Sequence, residues 1–475
     1  MKKIKKKAVN NKINKDKLDY LILLVFFISI IVPVMIAPTQ YYITQYGDDI
    51  AWISWAQNHH SNIIDIITNK VGTGYRPMIS LFHALEYNLW GSNAFYYYLF
   101  NGLFISGSMV FLYLIGKILH SKFAGVVAVL LYLFLDGTFI AAEKIAFIST
   151  IGEIFFIVSA IYYSIKYINT KDKTSMWLSI ILSILAFLTK EPSTLIIPSF
   201  ILVYLYCKKE LNIKYIALCL IPYLYDFVLI IFISPDVNAG GSNIYQVVMS
   251  NLNYYTDAEV NSQFKTPILL GISLFVATYY IYYKNLRTEI ISCIAIIITA
   301  MLPFILTQRT VQPTYLMEAN LGMVLLIGIV ISEGFKKFNV ITGLLIIGIL
   351  FQVSMIPGQI SNMQNYNNMI SNNQKTFLET VESLKQLPSN ETVFYFSNDI
   401  RQKYGMQLTE DFFKDYLCLR DLCNIKVVTS YADANYIILP SSLDVYTFQK
   451  EMPNEKPSVL KQIKNGDDYG YLLKK

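Results

Sequence analysis

The fold of this chain is decided by a polar segment that lies between long apolar segments near the start of the sequence. It contains Tyr46-Gly47-Asp48-Asp49-Ile50-Ala51-Trp52 and, further along, Gly72-Thr73-Gly74-Tyr75-Arg76-Pro77. Two neighbouring carboxylates and an arginine at a membrane boundary are costly to desolvate, so such groups indicate a functional site. The segment therefore favours a membrane-embedded enzyme.

The composition predicts an integral membrane protein. Of the 475 residues, 54% are hydrophobic and 15% are charged, whereas a soluble globular domain carries about 25% charged residues. The 36 Tyr and 29 Phe are typical of a protein whose aromatic side chains lie at two water–lipid interfaces. The net charge of +6 does not indicate a nucleic-acid partner, because the basic residues are distributed by membrane side.

Hydropathy predicts about eleven membrane spans, each near the length that crosses a bilayer. We place them at 18–40, 94–116, 123–140, 147–168, 176–190, 193–207, 214–234, 266–283, 288–307, 314–332 and 339–357. The fifth and sixth spans are short and meet at Lys190-Glu191-Pro192. They are either two full crossings or a broken pair that dips into the protein interior.

The basic residues predict the orientation in the membrane. Eight lysines precede residue 18, and with a cytoplasmic N-terminus the inner segments carry twenty basic residues against six on the outer segments before residue 358. Cytoplasmic loops carry an excess of Lys and Arg, so we predict a multi-pass plasma-membrane protein with a cytoplasmic N-terminal segment at 1–17. The transmembrane domain covers 18–357 and includes a first outer loop at 41–93. Its first span is long and follows an extended lysine-rich segment, which predicts a retained anchor rather than a cleaved signal peptide.

Residues 358–475 are polar and predict a small extracytoplasmic α/β domain. A helix is expected around 373–387, and β-rich runs follow at 392–396, 426–429 and 436–439. Cys418 and Cys423 lie in this domain. An oxidising exterior would allow a disulfide between them, but many Gram-positive exteriors use few disulfides, so both states stay open.

The first outer loop contains a predicted amphipathic helix at 77–90. Its apolar residues have helical spacing, Pro77 suits a first turn, and Gly91 suits a termination. The segment is too short to span a bilayer, so we expect it to lie at the interface. His59, His60 and His83 are interpreted as polar or interfacial residues rather than metal ligands.

Asp48 and Asp49 allow two interpretations. Both can be helix-capping or solvated loop residues, since Asp before an apolar run is a good N-cap. Alternatively, one of them is a general base that accepts a proton from a hydroxyl. In the second case Arg76 is suited to bind a phosphate oxygen with its guanidinium.

The ordered series of motifs resembles the GT-C glycosyltransferases, and most closely their protein O-mannosyltransferase branch. The resemblance covers about 20–335. It rests on Asp48-Asp49, Tyr75-Arg76-Pro77, Leu89-Trp90-Gly91, Asn101, Leu188-Thr189-Lys190-Glu191-Pro192 and Thr314-Tyr315-Leu316. The sequence departs from the branch at Thr314, where a basic residue is common and Arg309 is the nearby substitute, and at Tyr98, where a histidine is frequent. No repeat array follows the last span.

The resemblance implies an inverting membrane enzyme that takes a sugar from a polyprenyl-phosphate donor. The acceptor, a glycan, lipid or protein, enters from the outer face. The first-loop aspartate, Asp48 with Asp49 as the competing assignment, is then the catalytic base. The donor phosphate is bound by Arg76, Lys190 and Arg309, and the substrate cavity includes Tyr75, Glu191, Tyr315 and Glu143.

Three alternatives remain at the level of sequence. Some oligosaccharide-transferring relatives hold a divalent ion with outer-loop carboxylates, and Asp48, Asp49 and Glu143 could do the same. The cations suit the donor phosphate without it, so we expect no required cofactor. A lipid-linked sugar flippase is disfavoured because transporters place ionisable residues within spans and show repeated halves. A polysaccharide polymerase or ligase is disfavoured because the loop at 235–265 contains no arginine.

Overall fold

The computed structural model describes seventeen α-helices and strands, with three short 3-10 helices, in fourteen stretches of the chain. These stretches are 47–68, 76–133, 145–190, 192–211, 287–306, 316–336, 375–388, 390–395, 410–439, 448, 450, 452–454, 457–465 and 468–475. The helices before residue 340 are α1 (Gly47–His59), α2 (Ile63–Thr68), α3 (Pro77–Trp90), α4 (Ala94–Leu119), α5 (Lys122–Leu133), α6 (Ile148–Thr170), α7 (Lys173–Phe187), α8 (Ser193–Lys208), α9 (Arg287–Leu306) and α10 (Met317–Lys336). The remaining elements are α11 (375–382), β1 (Thr392–Phe394), α12 (Glu410–Leu419), β2 (Lys426–Val428), β3 (Tyr436–Leu439), β4 (Ser458–Asn465) and β5 (Asp468–Lys474).

These residues fall into two compact units. The first unit takes its described residues from Thr68–Ile79 and Tyr98–Ser354. The second takes them from Ala37–Ile67, Ser80–Tyr97 and Met355–Lys475. The first outer loop and the C-terminal part of the chain therefore belong largely to one unit.

The first unit is a bundle of apolar helices. Three helical segments are long and apolar enough to cross a membrane, namely Ala94–Leu119, Ile145–Thr170 and Met317–Gly334. Lys122–Leu133, Lys173–Phe187, Ser193–Lys208 and Thr288–Leu302 are shorter apolar helices. Each predicted span that falls on described residues coincides with one of these helices. The spans predicted at 18–40, 214–234, 266–283 and 339–357 lie outside the described residues.

Glycines set the helix spacing in this bundle. A Cβ atom at Gly116 would lie 2.6 Å from the Cα atom of Gly125, where α4 meets α5. A Cβ at Gly328 of α10 would lie 2.5 Å from the carbonyl oxygen of Ala124 in α5. Small residues allow helix backbones to approach closely in membrane bundles, where van der Waals contact replaces the hydrophobic effect as the driving force.

The second unit contains a five-stranded sheet in the order β2-β1-β3-β5-β4. β1 pairs in parallel with β2 and β3, whereas β5 pairs antiparallel with β3 and β4. The chain passes from β1 through α12 to β2, as a parallel pair requires a crossover connection. Phe377 of α11 contacts Tyr416 of α12, with ring centroids 5.0 Å apart, and Tyr395, which follows β1, stacks on Phe413 of α12. The predicted α/β character of this region is confirmed as a small sheet with helices.

The second unit contains elements that the sequence did not predict, and it answers one question that the sequence left open. The hairpin β4-β5 and helix α12 were not predicted. Cys418 and Cys423, for which both states were open, form a disulfide at the end of α12.

Helix α1 packs against α12 within the second unit. Ile50, Ile53 and Ala56 of α1 are fully buried. The helix α1 of the first outer loop and the helix α12 of the C-terminal region therefore pack together within one unit.

Candidate functional site

The connection between α7 and α8 holds a buried lysine, Lys190, which was predicted from the sequence. Its backbone N–H donates to the carbonyl of Ala186 at 3.1 Å, and its own carbonyl accepts from Ser193 Oγ at 2.7 Å. The residue is 7% exposed. The connection is thus hydrogen-bonded to the end of α7 on one side and to the start of α8 on the other.

The ammonium group of Lys190 meets oxygen atoms from two other helices. Its Nζ lies 2.7 Å from Glu318 Oε1 and 3.0 Å from Thr150 Oγ1. Glu153 Oε2 lies 3.6 Å away. Both carboxylates are fully buried. Removing one member of a buried ion pair typically costs about 3–5 kcal/mol, because the other charge is left uncompensated.

Glu153 and Glu318 both lie near the N-terminal ends of apolar helices, Glu153 in the second turn of α6 and Glu318 in the first turn of α10. Glu153 Oε1 also accepts the backbone N–H of Ser193 at 2.8 Å. This places a negative charge at the N-terminus of α8, where the exposed backbone N–H groups favour an anion.

Arg76 lies next to this lysine cluster, directly before α3. The residue is half-buried, and its charge acts electrostatically on Lys190. Two residues further on, the N–H of Met78 donates to the carbonyl of Leu188 at 3.1 Å. The structure therefore brings Arg76 and Lys190 together, although more than a hundred residues separate them in sequence.

Asp48 and Asp49 belong to the second unit. The helix α1 begins at Gly47, so both aspartates lie in its first turn and not in a loop or at an N-cap before it, which corrects that interpretation. An acidic residue in a first turn is stabilised by the partial positive charge of the helix N-terminus. The side chain of Asp49 is fully buried, and that of Asp48 lies outside the described atoms.

His83 and Glu86 form a buried pair on α3, which corrects the expectation that His83 is an interfacial residue. His83 Nδ1 lies 2.9 Å from Glu86 Oε2, and the side chains are 0% and 1% exposed. The imidazole also packs against the ring of Trp52, with centroids 4.9 Å apart. Burial raises the pKa of Glu86, while the hydrogen bond and charge of His83 oppose that rise.

Trp52 connects this pair to the aspartates through α1. Asp49 and Trp52 are three residues apart, and residues at this spacing lie on neighbouring positions of one helix face. His83 therefore contacts the face of α1 that carries Asp49. His59 and His60 lie at the end of α1, where each ring bonds to a backbone carbonyl of the preceding turn, in accord with their interpretation as polar residues.

Several predicted site residues lie outside the described residues. They are Tyr75, Glu143, Glu191, Arg309 and Tyr315. Within the described stretches, no three His, Cys, Asp or Glu side chains are grouped so that they could hold a metal ion. The proposed grouping of Asp48, Asp49 and Glu143 stays a prediction, because Glu143 is not among those residues.

The sequence analysis missed Glu153, Glu318 and the pairing of His83 with Glu86. A signal was present for the two glutamates, since each is a charged residue inside an apolar span and such residues usually have a partner. The pairing of His83 with Glu86 had a weaker signal, because residues three apart in a helix lie on one face.

Part of the chain matches the sequence profile of a known protein family. Residues 75–237 match the sequence profile of the dolichyl-phosphate-mannose-protein mannosyltransferases. No curated protein sequence gives a significant match.

Two solved structures of one protein, ArnT from Cupriavidus metallidurans, match nearly the whole chain. ArnT from Cupriavidus metallidurans bound to undecaprenyl phosphate has a TM-score of 0.55 and 11% identity, covering 94% of this chain and 97% of that chain. The apo state of the same protein has a TM-score of 0.53 and 12% identity, covering 98% of each chain. The Archaeoglobus fulgidus oligosaccharyltransferase in complex with Zn and sulfate is less similar, with a TM-score of 0.47 and 11% identity over 88% of this chain and 67% of its own.

The resemblance to the GT-C membrane glycosyltransferases is thereby confirmed. The profile match covers the Tyr75-Arg76-Pro77 and Lys190-Glu191-Pro192 motifs, and the similarity to ArnT shows the same fold across the transmembrane and C-terminal regions.

Proposed function

We propose that this protein transfers a sugar from a polyprenyl-phosphate carrier to an acceptor hydroxyl at the outer face of the plasma membrane, with inversion. The observation that carries the proposal is the fold similarity over nearly the full chain to a relative whose structure contains undecaprenyl phosphate. Arg76, a half-buried cation directly before α3, also supports the proposal, because a guanidinium is suited to bind an anionic phosphate group.

Arg76 is the residue that we assign to the donor phosphate. As the bond between the sugar and the phosphate breaks, negative charge grows on the phosphate oxygens, and a pre-positioned cation stabilises that charge. A guanidinium can donate two parallel hydrogen bonds to a phosphate. Arg309 is assigned to the same group on the strength of the sequence alone.

One aspartate of α1 is assigned the role of general base. In the proposed step the carboxylate removes the proton of the acceptor hydroxyl, and the oxygen attacks the anomeric carbon from the side opposite the phosphate. The carbon–oxygen bond to the phosphate breaks at the same time, and the carrier leaves as the lipid phosphate. Attack from the opposite side inverts the anomeric configuration.

The proposal is tested by transfer of radiolabel from a panel of polyprenyl-phosphate sugars in membranes that contain the protein. We expect one donor to be used, and we expect Arg76→Gln to lower kcat/KM for it by about tenfold to a hundredfold, since a hydrogen bond to a charged group contributes about 1.5–3 kcal/mol. Lys208→Gln, which removes an exposed cation at the end of α8, is the matched control and should behave as the wild type. Absence of transfer from every donor by folded wild-type protein would contradict the proposal.

A further inference from the structure

We infer that Lys190 is a buried counter-ion that positions the Arg76 segment, with Glu153 and Glu318 as its partners, and that it does not bind the donor phosphate itself. The inference rests on the proposed function, because it gives different roles to Arg76 and Lys190, which the sequence analysis both assigned to the donor phosphate. It adds Glu153 and Glu318 to the residues that determine donor binding.

The positive charge of Lys190 already has oxygen partners within the protein. Two of its N–H donors are taken by Glu318 Oε1 at 2.7 Å and Thr150 Oγ1 at 3.0 Å, and Glu153 Oε2 lies within ion-pair distance at 3.6 Å. An ammonium group has three N–H donors. The group is therefore surrounded by protein oxygens from α6 and α10.

A phosphate in contact with Lys190 would also lie close to two carboxylates. Both glutamates are fully buried, and within the described part of the chain Glu318 Oε2 is a buried oxygen with no hydrogen-bond donor. Like charges repel strongly in a buried environment, where little water screens them. Arg76 is half-buried, and its guanidinium can donate two parallel hydrogen bonds to a phosphate, so it is the cation of this cluster that we assign to the donor.

The lysine and the arginine are linked through the backbone. Leu188, two residues before Lys190, accepts the N–H of Met78, two residues after Arg76, at 3.1 Å. The side chain of Lys190 anchors this connection to α6 and α10, so its loss is expected to displace the segment that carries Arg76. The two carboxylates also balance the two positive charges, which removes a repulsion that would otherwise oppose placing Arg76 beside Lys190.

Stability alone does not account for this ion network. Replacing a buried ion network with uncharged groups of similar size is often neutral or stabilising, whereas removing only one partner is strongly destabilising. This asymmetry distinguishes a counter-ion from a phosphate ligand. If Lys190 is a counter-ion, replacing it together with Glu153 and Glu318 should restore stability and donor binding. If it is a phosphate ligand, donor binding should stay weak.

The test compares three variants. They are Lys190→Met, the triple variant Lys190→Met/Glu153→Gln/Glu318→Gln, and Arg76→Gln. The measured quantities are the thermal midpoint in detergent, and KM and kcat for the donor used by the wild type. Lys190→Met should have a lower midpoint and a donor KM raised by about tenfold or more, whereas the triple variant should regain the midpoint and most of the donor affinity. Arg76→Gln should keep the midpoint and lose donor affinity.

Three results would overturn the inference. A triple variant that is stable but has the donor KM of Lys190→Met would make Lys190 a phosphate ligand. A folded Lys190→Met with unchanged donor KM would remove the positioning role. A triple variant that fails to fold under conditions where Lys190→Met folds would contradict the counter-ion role, since neutralising the partners should rescue the fold.

The inference and the proposed function fail in different ways. If the wild type uses no donor, the proposed function fails, but the thermal midpoints still show whether Lys190, Glu153 and Glu318 act as one charge-balanced group. In that case stabilisation by undecaprenyl phosphate alone replaces KM as the measure of lipid-phosphate binding. The rank order expected for that stabilisation is the same, with the triple variant above Lys190→Met.

Discussion

At the scale of single residues, the environment of each charged side chain determines what it can do. Glu86 is 1% exposed and shares a hydrogen bond with His83, so its carboxyl group has lost its water and gained one nearby donor. Lys190 has two carboxylates beside it, whereas Arg76 is half-buried. Residues that look equivalent in the sequence as boundary cations therefore have different surroundings in the fold.

Candidate functional residues were easier to predict from the sequence than the residues that contact them. Arg76 and Lys190 were identified because they are basic residues at the ends of apolar segments. Glu153 and Glu318 each carried a signal as a charged residue within an apolar span, but their partner could not be predicted, because only the packing of α6 and α10 around the α7–α8 connection brings them to Lys190. Contacts between residues that are distant in sequence leave little local pattern.

Replacing Glu86 with Gln should change the pH dependence of stability. Because the pKa of Glu86 is raised in the folded protein, the folded state keeps this proton to a higher pH than the unfolded chain, whose Glu pKa is about 4.3. The wild type therefore loses stability as the pH rises from about 4 through the folded pKa, and the variant lacks this loss. Thermal unfolding in detergent between pH 4 and pH 8 measures the difference.

The advantage of Glu86→Gln over the wild type should grow as the pH rises. Glu379→Gln, on a side chain of α11 that is 44% exposed and lies in the same unit, is the control and should show no such trend. The hydrogen bond and charge of His83 lower the pKa of Glu86, so the same trend should be larger in a His83→Gln background. An advantage that grows toward acidic pH would contradict the burial of an ionisable carboxyl group at this position.

At the scale of elements, local signals decided how well each helix was predicted. Helix α3 was predicted with its observed bounds, Pro77–Trp90, because it has a strong signal at each end. Pro77 suits the first turn, and Gly91 adopts a φ of 56°, which glycine allows at little cost. Helix α1 was read as a loop, since Gly47, Asp48 and Asp49 are weak helix formers, and its packing against α12 outweighs that preference.

Local sequence signals also explain why only part of the sheet was predicted. β1, β2 and β3 are apolar runs, whereas β4 and β5 are rich in charged and polar residues and resemble a solvated segment. The pair Asn465-Gly466 between them is a typical signal of a hairpin turn, and it was the available evidence for these two strands.

Close helix packing in the first unit makes Gly328 sensitive to substitution. Gly328→Leu should lower the free energy of unfolding by about 1–3 kcal/mol, the usual effect of overpacking a well-packed site, because even its Cβ would overlap the carbonyl oxygen of Ala124. Ile298→Ala, on a side chain that is 58% exposed, is the matched control and should have a much smaller effect. Thermal unfolding of the purified variants in detergent gives both values, and equal effects would show that α5 and α10 do not pack through this glycine.

At the scale of the whole molecule, the second unit joins the start and the end of the chain. Because α1 packs against α12, the first loop and the C-terminal sheet must face the same compartment. The distribution of basic residues predicts that this compartment is the exterior, and the Cys418–Cys423 disulfide agrees with an oxidising environment.

Labelling of introduced cysteines tests this topology. Ser61→Cys in the first loop and Gln386→Cys in the C-terminal part, both at exposed positions, should react with a membrane-impermeant maleimide in intact cells. Lys209→Cys, exposed after α8, lies in a predicted cytoplasmic loop and should react only after the membrane is permeabilised. Labelling of the first two positions from opposite sides would contradict the packing of α1 on α12, and labelling of both only after permeabilisation would reverse the predicted orientation.

The most direct test of the central claim is transfer of labelled sugar from polyprenyl-phosphate donors by Asp48→Asn and Asp49→Asn, compared with the wild type. Loss of a general base typically lowers the rate by about 10²–10⁴-fold, so we expect one variant to lose activity to this extent while it keeps the thermal midpoint of the wild type. The other variant should retain activity. Wild-type rates in both variants would contradict the assignment of the base to α1, and the absence of transfer by the wild type itself would contradict the glycosyltransferase account.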